Sequence, residues 1–133
     1  MNLKVNIIKE DVFILLEDVT VEVLGHRIKV KKGFDFDGAS IPQAFWGVYG
    51  NPLSGKFRIA ALVHDVLYAS QKVSRDSADD IFLDLMKQHK VGYLKRQSMY
   101  YAVRSAGWYS WKQLTREEIE KYKEFVDVEK INS

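Results

Sequence analysis

The segment Phe57–Tyr68 is apolar on almost every side of a helix, and this feature constrains the fold more than any other. On a helical wheel, only Arg58 and Asp65 form a narrow polar stripe, and His64 falls among apolar neighbours. A helix that is hydrophobic all round is buried at the centre of its domain. His64 and Asp65 must therefore lie in or beside a core, where polar groups are costly unless they are paired.

The next predicted helix offers partners for these two residues. The linker over residues 70–74 is short, so the helices on either side of it are predicted to pack antiparallel. Reflecting the sequence about the middle of this linker sets Asp80 level with His64, and Asp79 level with Asp65. We therefore expect an acid pair beside the His-Asp pair, within a few residues of this register.

The N-terminal third has the pattern of β-strands. Val19–Val23 alternates between apolar and polar residues, as does Ile28–Lys31, and Gly25 lies between them as in a hairpin turn. A small antiparallel sheet with one face in water accounts for this pattern. We predict one α+β domain over residues 1–133, β-rich over 1–32, with a loop over 33–53 and helices over 54–126.

Capping residues divide the C-terminal two-thirds into helices. Serine and threonine are favoured N-caps, and a Glu three residues after such a cap forms a capping box. We expect the tail Val126–Ser133 to be frayed. The predicted helices are Ser54 to about Ser70, Arg75–His89 after Ser74, Gly92 to about Leu114 with a break near Gly107, and a final helix after Thr115.

The loop GFDFDGASIP, residues 33–42, joins the strands to the helices. Its two glycines, two aspartates and proline predict an irregular conformation. Ser40 is predicted to cap a short helix over Pro42–Val48. Asp35 and Asp37 supply carboxylate oxygens, although a role in loop geometry also explains them.

A histidine oriented by a carboxylate is a common general base. His64 with Asp79 or Asp80 fits this description, whereas Asp65, Asp37 and Asp35 could hold a hard cation such as Ca²⁺ or Mg²⁺ through oxygen ligands. The residues therefore fit a hydrolase that works with or without a divalent cation. Buried His-Asp pairs also occur as simple hydrogen-bonded ties between helices, and this structural alternative stays open.

Composition removes several other classes of function. The absence of cysteine excludes disulfides, thiolate metal sites and cysteine nucleophiles. A net charge of +2 does not imply a nucleic-acid partner. The sequence shows no signal peptide and no apolar run of the roughly 20 residues that cross a bilayer, so we expect no transmembrane segment and a cytoplasmic location.

Four segments together resemble the phage and prophage family catalogued as domain of unknown function 1353. They are GFDFDGASIP, GKFRIAALVHDVLY, SRDSADDIF and MYYAVRSAGWYSW, and the resemblance covers about residues 30–112. It implies a virus-encoded protein in the cytoplasm of a bacterial host or associated with the virion. The family name assigns no activity, so the partner, whether from host or phage, stays unknown.

The string His64-Asp65-Val66-Leu67-Tyr68 resembles the HDxxY helix of phospholipases A2, more weakly. That resemblance implies that His64 activates water and that Asp65 binds Ca²⁺. It also implies that Tyr68 supports the acid that orients the histidine, here Asp79 in an Ala-Asp pair. The glycine-rich calcium loop of that family has no good match in this chain.

Two hypotheses follow from these observations. The first is a hydrolase that cleaves an ester or phosphoester. The second is a non-catalytic phage accessory protein that binds a host factor, a virion component or a nucleotide signal. The aromatic and basic segment Tyr93–Trp111 is interpreted mainly as core with outward arginines, although stacking on nucleobases or contact with a membrane interface would also fit.

Overall fold

The computed structural model describes residues 3–9, 12–38, 40–41 and 55–131 of the chain. Strands come first, four helices follow, and a last strand closes the described chain. This arrangement confirms the predicted α+β class. The short helix predicted over Pro42–Val48 and the predicted cap Ser54 lie outside the described residues.

Within these described ranges, six strands form two antiparallel sheets of three strands each. The first sheet has the order β1-β2-β5, and the second has the order β3-β4-β6. Phe13 pairs with Phe36 in the first sheet, and Val21 pairs with Ile28 in the second. The strands are β1 Val5–Lys9, β2 Val12–Leu15, β3 Val19–Val23, β4 His26–Val30, β5 Asp35–Phe36 and β6 Val126–Lys130.

The alternation of apolar and polar residues in β3 determines which face of the second sheet packs on the core. Val19, Val21 and Val23 are buried on β3, while the intervening Thr20 and Glu22 are exposed. Successive side chains of a strand point to opposite faces, so one face of this hairpin packs on the core. The predicted hairpin is therefore confirmed.

The helices are α1 Arg58–Ser70, α2 Arg75–Gln88, α3 Tyr93–Gln113 and α4 Arg116–Lys123. A short 3₁₀ turn over Gly55–Phe57 leads into α1. Ser74 caps α2 by accepting from the Ser77 N–H, and Thr115 with Glu118 forms the predicted capping box of α4. None of the helices in the described ranges is long and apolar enough to cross a membrane.

Helix α1 is the centre of the molecule. Every residue from Ile59 to Tyr68 is buried, including His64 and Asp65. The helix contacts α2, α3 and α4 and also touches strands of both sheets. The position of α1 therefore follows from its uniformly apolar surface, and the polar pair is enclosed by the rest of the fold.

Three sequence expectations need correction. The tail from Val126 is not frayed, because β6 pairs with β4 over its whole length and buries Val126. Helix α3 continues through Gly107 without a break, since this glycine packs against α1 and its missing side chain leaves room for Tyr68. The N-terminal strands form parts of two sheets rather than one.

Candidate active site around His64

His64 lies in the middle of α1, and its side chain is completely buried. Its Nε2 atom lies 2.7 Å from Asp79 Oδ1 on α2, and its Nδ1 atom lies 2.9 Å from Ser40 Oγ in the loop. The ring also packs against Tyr68 and Phe82, with centroid separations of 4.3 and 4.6 Å. Both ring nitrogens therefore have protein groups as partners.

Asp79 is surrounded by hydrogen-bond donors. Its Oδ1 atom accepts from the Tyr68 hydroxyl at 2.7 Å and faces His64 Nε2. Its Oδ2 atom accepts from Arg104 Nη1 at 2.7 Å, and Arg75 Nη1 lies 3.5 Å away. Burial alone would raise the pKa of Asp79, but hydrogen bonds from His64 and its neighbours hold the pKa below its ordinary value of 3.8. Asp79 is therefore an ionised carboxylate.

The ionised Asp79 fixes the tautomer of His64. Burial lowers the pKa of His64 below its ordinary value of 6.5, and attraction by Asp79 only partly opposes this effect. The imidazole is thus neutral near pH 7 and carries one proton. Because Asp79 can only accept, that proton lies on Nε2, and Nδ1 is left as an acceptor that faces the Ser40 hydroxyl.

Asp65 lies on the other side of Ser40. The Gly38 N–H donates to its Oδ2 atom at 2.7 Å, the Ser40 N–H donates to Oδ1 at 3.3 Å, and Ser40 Oγ also contacts Oδ1. Burial raises the pKa of Asp65 to about 7 against the hydrogen bond from Ser40, and the negative charge of Asp37 adds to the rise. Near neutral pH, Asp65 is therefore divided between its acid and carboxylate forms.

The Ser40 hydroxyl has one proton and two neighbouring acceptors. When Asp65 is protonated, it can donate to Ser40 Oγ while the Ser40 hydroxyl donates to His64 Nδ1, so every contact has one proton. When Asp65 is ionised and His64 is neutral, the two acceptors compete for the hydroxyl. The protonation of Asp65 thus decides whether Ser40 is directed towards the imidazole.

A cavity of about 340 Å³ opens beside this network. Ser40 and Asp65 line the cavity, whereas His64 does not, so the buried imidazole reaches it through Ser40. Among the described residues that line it are four carboxyl groups and no Lys, Arg or His. The lining residues are Phe34, Asp35, Asp37, Ser40, Asp65, Tyr68, Ala69, Ser110, Gln113, Leu114, Glu118 and Tyr122.

The structure brings together most of the residues singled out from the sequence. His64, Tyr68 and Asp79 meet in one cluster. The simple reflection set Asp80 level with His64, so the observed pairing of α1 with α2 differs from it by one residue. Asp80 does not join them, because it is exposed and accepts from the Tyr100 hydroxyl at 2.7 Å.

The three aspartates considered as metal ligands all line the cavity. Asp35 accepts from the Tyr122 hydroxyl at 3.2 Å, and both oxygens of Asp65 accept from the backbone of the loop. In the described ranges, no three His, Cys, Asp or Glu side chains converge as a group that could hold a metal ion.

Sequence reasoning missed three members of the cluster. Ser40 was interpreted as a helix cap and Arg104 as an outward-facing charge, and no role was predicted for Arg75. Arg75 also donates to the Val103 carbonyl at 3.0 Å, which ties α2 to α3. A signal was present for Arg75, because it precedes Asp79 by four residues on one helix face. No local pattern marks Ser40 or Arg104, which lie 24 and 25 residues from their partners.

The fold and site together define a small α+β protein with a buried Ser-His-Asp chain beside an acidic cavity. Comparison with known proteins then assigns the family: the chain belongs to the family described as Protein of unknown function (DUF1353), which matches residues 13–103. A relative, the uncharacterized protein y4jT of Sinorhizobium fredii, is 32% identical over 83 residues. The match covers 62% of this chain but 25% of the relative. No solved structure matches this chain significantly.

Proposed function

We propose that this protein is a hydrolase that cleaves an ester, with Ser40 as nucleophile, His64 as general base and Asp79 as the acid that orients the base. The observation that carries the proposal is the continuous contact from Ser40 Oγ to His64 Nδ1 at 2.9 Å and from His64 Nε2 to Asp79 at 2.7 Å. A nucleophile, a base and an orienting acid are recognised by such mutual geometry rather than by chain order.

The position of the cavity favours Ser40 over water as the attacking group. His64 does not line the cavity, whereas Ser40 does, and the Ser40 hydroxyl already lies against the basic nitrogen. The hydroxyl oxygen would attack the ester carbonyl carbon as its proton passes to Nδ1. The imidazolium, stabilised by Asp79, would return that proton to the departing alcohol, and water would then release the acid from the acyl-Ser40 ester.

Asp65 supplies a second role in its protonated form. Two backbone N–H groups of the loop, those of Gly38 and Ser40, already donate to Asp65. The acid form of Asp65, with a pKa of about 7, donates to Ser40 Oγ before the reaction, and as Ser40 attacks it would donate the same proton to the developing oxyanion instead. Activity should therefore fall as the pH rises through about 7, because Asp65 ionises.

The charge of the cavity favours neutral or cationic esters over phosphoesters. The part of its lining that the structure describes includes Asp35, Asp37, Asp65 and Glu118 and no basic side chain, so an anionic substrate would meet repulsion on entry. A bound Ca²⁺ or Mg²⁺ would relax this restriction, and it stays a prediction for Asp35 and Asp37. Thermal melts with each cation and with a chelator test it, and no step of ester cleavage above requires a metal.

The first experiment is covalent labelling of the purified protein with a fluorophosphonate, followed by peptide mass spectrometry. We expect one adduct on Ser40, hydrolysis of p-nitrophenyl acetate above the buffer rate, and loss of both in the Ser40→Ala and His64→Gln variants. Ser110→Ala, which changes another serine of the cavity, is the matched control and should keep both. Labelling elsewhere, or hydrolysis unchanged in Ser40→Ala, contradicts the proposal.

A specific observation favours a second candidate, a non-catalytic binding protein. The backbone N–H groups of Gly38 and Ser40 donate to Asp65 and not to a ligand, as they would in a loop fixed only for structure. In this reading the His64 cluster is a clamp, and the acidic cavity binds a cationic group of a host or phage partner. Absence of labelling, together with a large loss of stability in His64→Gln, would select it. The phage or prophage origin implied by the resemblance stays a prediction for both candidates.

A further inference from the structure

Exposed hydrophobic side chains are concentrated on α3. Seven large hydrophobic side chains are exposed within the described part of the chain, and five of them belong to this helix. Leu94 is 79% exposed, Tyr101 is 71% exposed and Trp108 is 49% exposed. These three residues are spaced seven apart, so they fall in one row along the helix. Tyr93 and Tyr109 are the other two members of the set.

The row is less polar than its sequence implies. Ser98 and Ser105 lie between its members, and each turns its hydroxyl onto the carbonyl four residues earlier, that of Leu94 at 2.8 Å and that of Tyr101 at 2.7 Å. Hydroxyls satisfied in this way need no outside partner. We call the surface formed by Leu94, Ser98, Tyr101, Ser105 and Trp108 the outer face of α3.

The charge of α3 has a single sign. The helix contains four basic residues and no Asp or Glu. Arg104 is bound by Asp76 and Asp79, but the other three cations lie beside aromatic rings: Lys95 over Phe57, Arg96 over Tyr93 and Lys112 over Trp108. Of these rings, Phe57 is buried, whereas Tyr93 and Trp108 are exposed. Exposed aromatic rings with adjoining cations, as in the pair of Trp108 and Lys112, are typical of helices that lie in the plane of an anionic membrane surface.

We propose that the outer face of α3 docks onto an anionic lipid surface. Trp108 and Tyr101 would enter the boundary between headgroups and acyl chains, and Lys112 would pair with lipid phosphates. Charge argues against a second copy of the chain as the occupant, because two α3 helices of the same sign would face each other. The proposal is independent of ester cleavage, which depends on groups on the buried side of α3.

The test is flotation of the full chain with vesicles of phosphatidylcholine alone and of phosphatidylcholine with 30% phosphatidylglycerol. We expect binding at least about tenfold tighter to the anionic vesicles, weakened in high salt. The Tyr101→Ser/Trp108→Ser variant should lose about tenfold or more of this affinity. The Leu16→Ser/Leu24→Ser variant, which removes exposed apolar groups from the sheet region, should bind as the parent does.

Three results would overturn the proposal. The first is equal binding of both variants, and the second is binding that does not depend on phosphatidylglycerol. The third is a dimer in lipid-free solution that Tyr101→Ser/Trp108→Ser dissociates, since the face would then be a contact between copies. Circular dichroism checks that each variant is folded, which we expect because the substituted side chains are exposed.

Discussion

His64 lies between two regions that each contain one buried aspartate, and the pKa values of the two aspartates are shifted in opposite directions. On the α2 side, Asp79 has a lowered pKa and stays ionised, whereas on the loop side Asp65 has a pKa raised to about 7. Burial raises the pKa of both groups, so burial does not explain the difference. The carboxylate of Asp79 accepts hydrogen bonds from His64, Tyr68 and Arg104, which lower its pKa, while Asp65 accepts from Ser40 and Gly38 and lies near the negative charge of Asp37. The hydrogen-bond donors and charges around each carboxyl group therefore decide which of the two can exchange a proton near neutral pH.

The largest expected effect is that of Asp79→Asn. The substitution removes the charge that compensates Arg104 and Arg75 and should cost roughly 3–5 kcal/mol of unfolding free energy, as breaking a buried ion pair does. Urea denaturation at pH 7 measures it. Asp80→Asn is the matched control one residue away, and it should cost less than about 1 kcal/mol because Asp80 is exposed. Equal losses of unfolding free energy in Asp79→Asn and Asp80→Asn would contradict the role given to Asp79 on the α2 side of His64.

Gly107→Ala should destabilise the protein by roughly 1–3 kcal/mol, because a Cβ atom there would lie 2.5 Å from the Tyr68 hydroxyl that Asp79 holds in place. In a helix interior without this contact, the same change would stabilise by about 0.5–1 kcal/mol. Denaturation of the single variants and of Tyr68→Phe/Gly107→Ala measures the coupling. The unfolding free energy lost through Gly107→Ala should be smaller in the Tyr68→Phe background, where the hydroxyl is absent. Strictly additive effects of the two substitutions would contradict the predicted contact.

Asp65→Asn should change the dependence of stability on pH. The pKa of Asp65 is higher in the folded protein, about 7 against 3.8, so its contribution to stability is complete below pH 4 and is lost as the pH rises through 7. That difference in pKa corresponds to at most roughly 4 kcal/mol of unfolding free energy. Asparagine has one accepting oxygen fewer than the carboxyl group, and this loss offsets part of the stability that the variant gains at high pH. We expect the variant to match the parent at pH 5 and to exceed it by about 1–2 kcal/mol at pH 8 in thermal melts.

The smallest expected effect is that of Asp37→Asn on the pKa of Asp65. Removing the charge of Asp37 should lower that pKa, because like charges disfavour ionisation. Carboxyl NMR titration of Asp65 measures the change, and Glu129→Asn, which alters an exposed acid on β6, serves as the control. An unchanged titration would show that the charge of Asp37 does not raise the pKa of Asp65. Burial would then be the cause of the raised pKa of Asp65, in contrast to Asp79, whose pKa is lowered despite burial.

Local patterns in the sequence were sufficient to predict the antiparallel pair of helices α1 and α2. The apolar surface of α1 and the short linker place His64, Tyr68 and Asp79 together, because neighbouring antiparallel helices fix their register within about a residue. Ser40 and Arg104 could not be placed in this way. Their partners lie more than 20 residues away, so only the packing of the loop and of α3 onto α1 brings them to the site.

The same limit explains the error at the C-terminus. The segment Val126–Lys130 is short and charged, and in isolation it has too little apolar surface to form structure. Its pairing with β4 spans about 100 residues of sequence, from Arg27 to Glu129, and the two side chains join in an ion pair at 2.7 Å. A strand whose partner is so distant leaves no periodic signal of its own beyond two alternating valines.

The placement of β6 has a practical consequence for anyone who trims the gene. The family match ends at residue 103, yet the third strand of the second sheet lies beyond it. A fragment cut at that boundary would leave the backbone groups of β4 open along one side, and an open strand edge recruits other chains. Such a fragment should precipitate on expression even though Ser40, Tyr68, Asp79 and Phe82, which contact His64, would still be present.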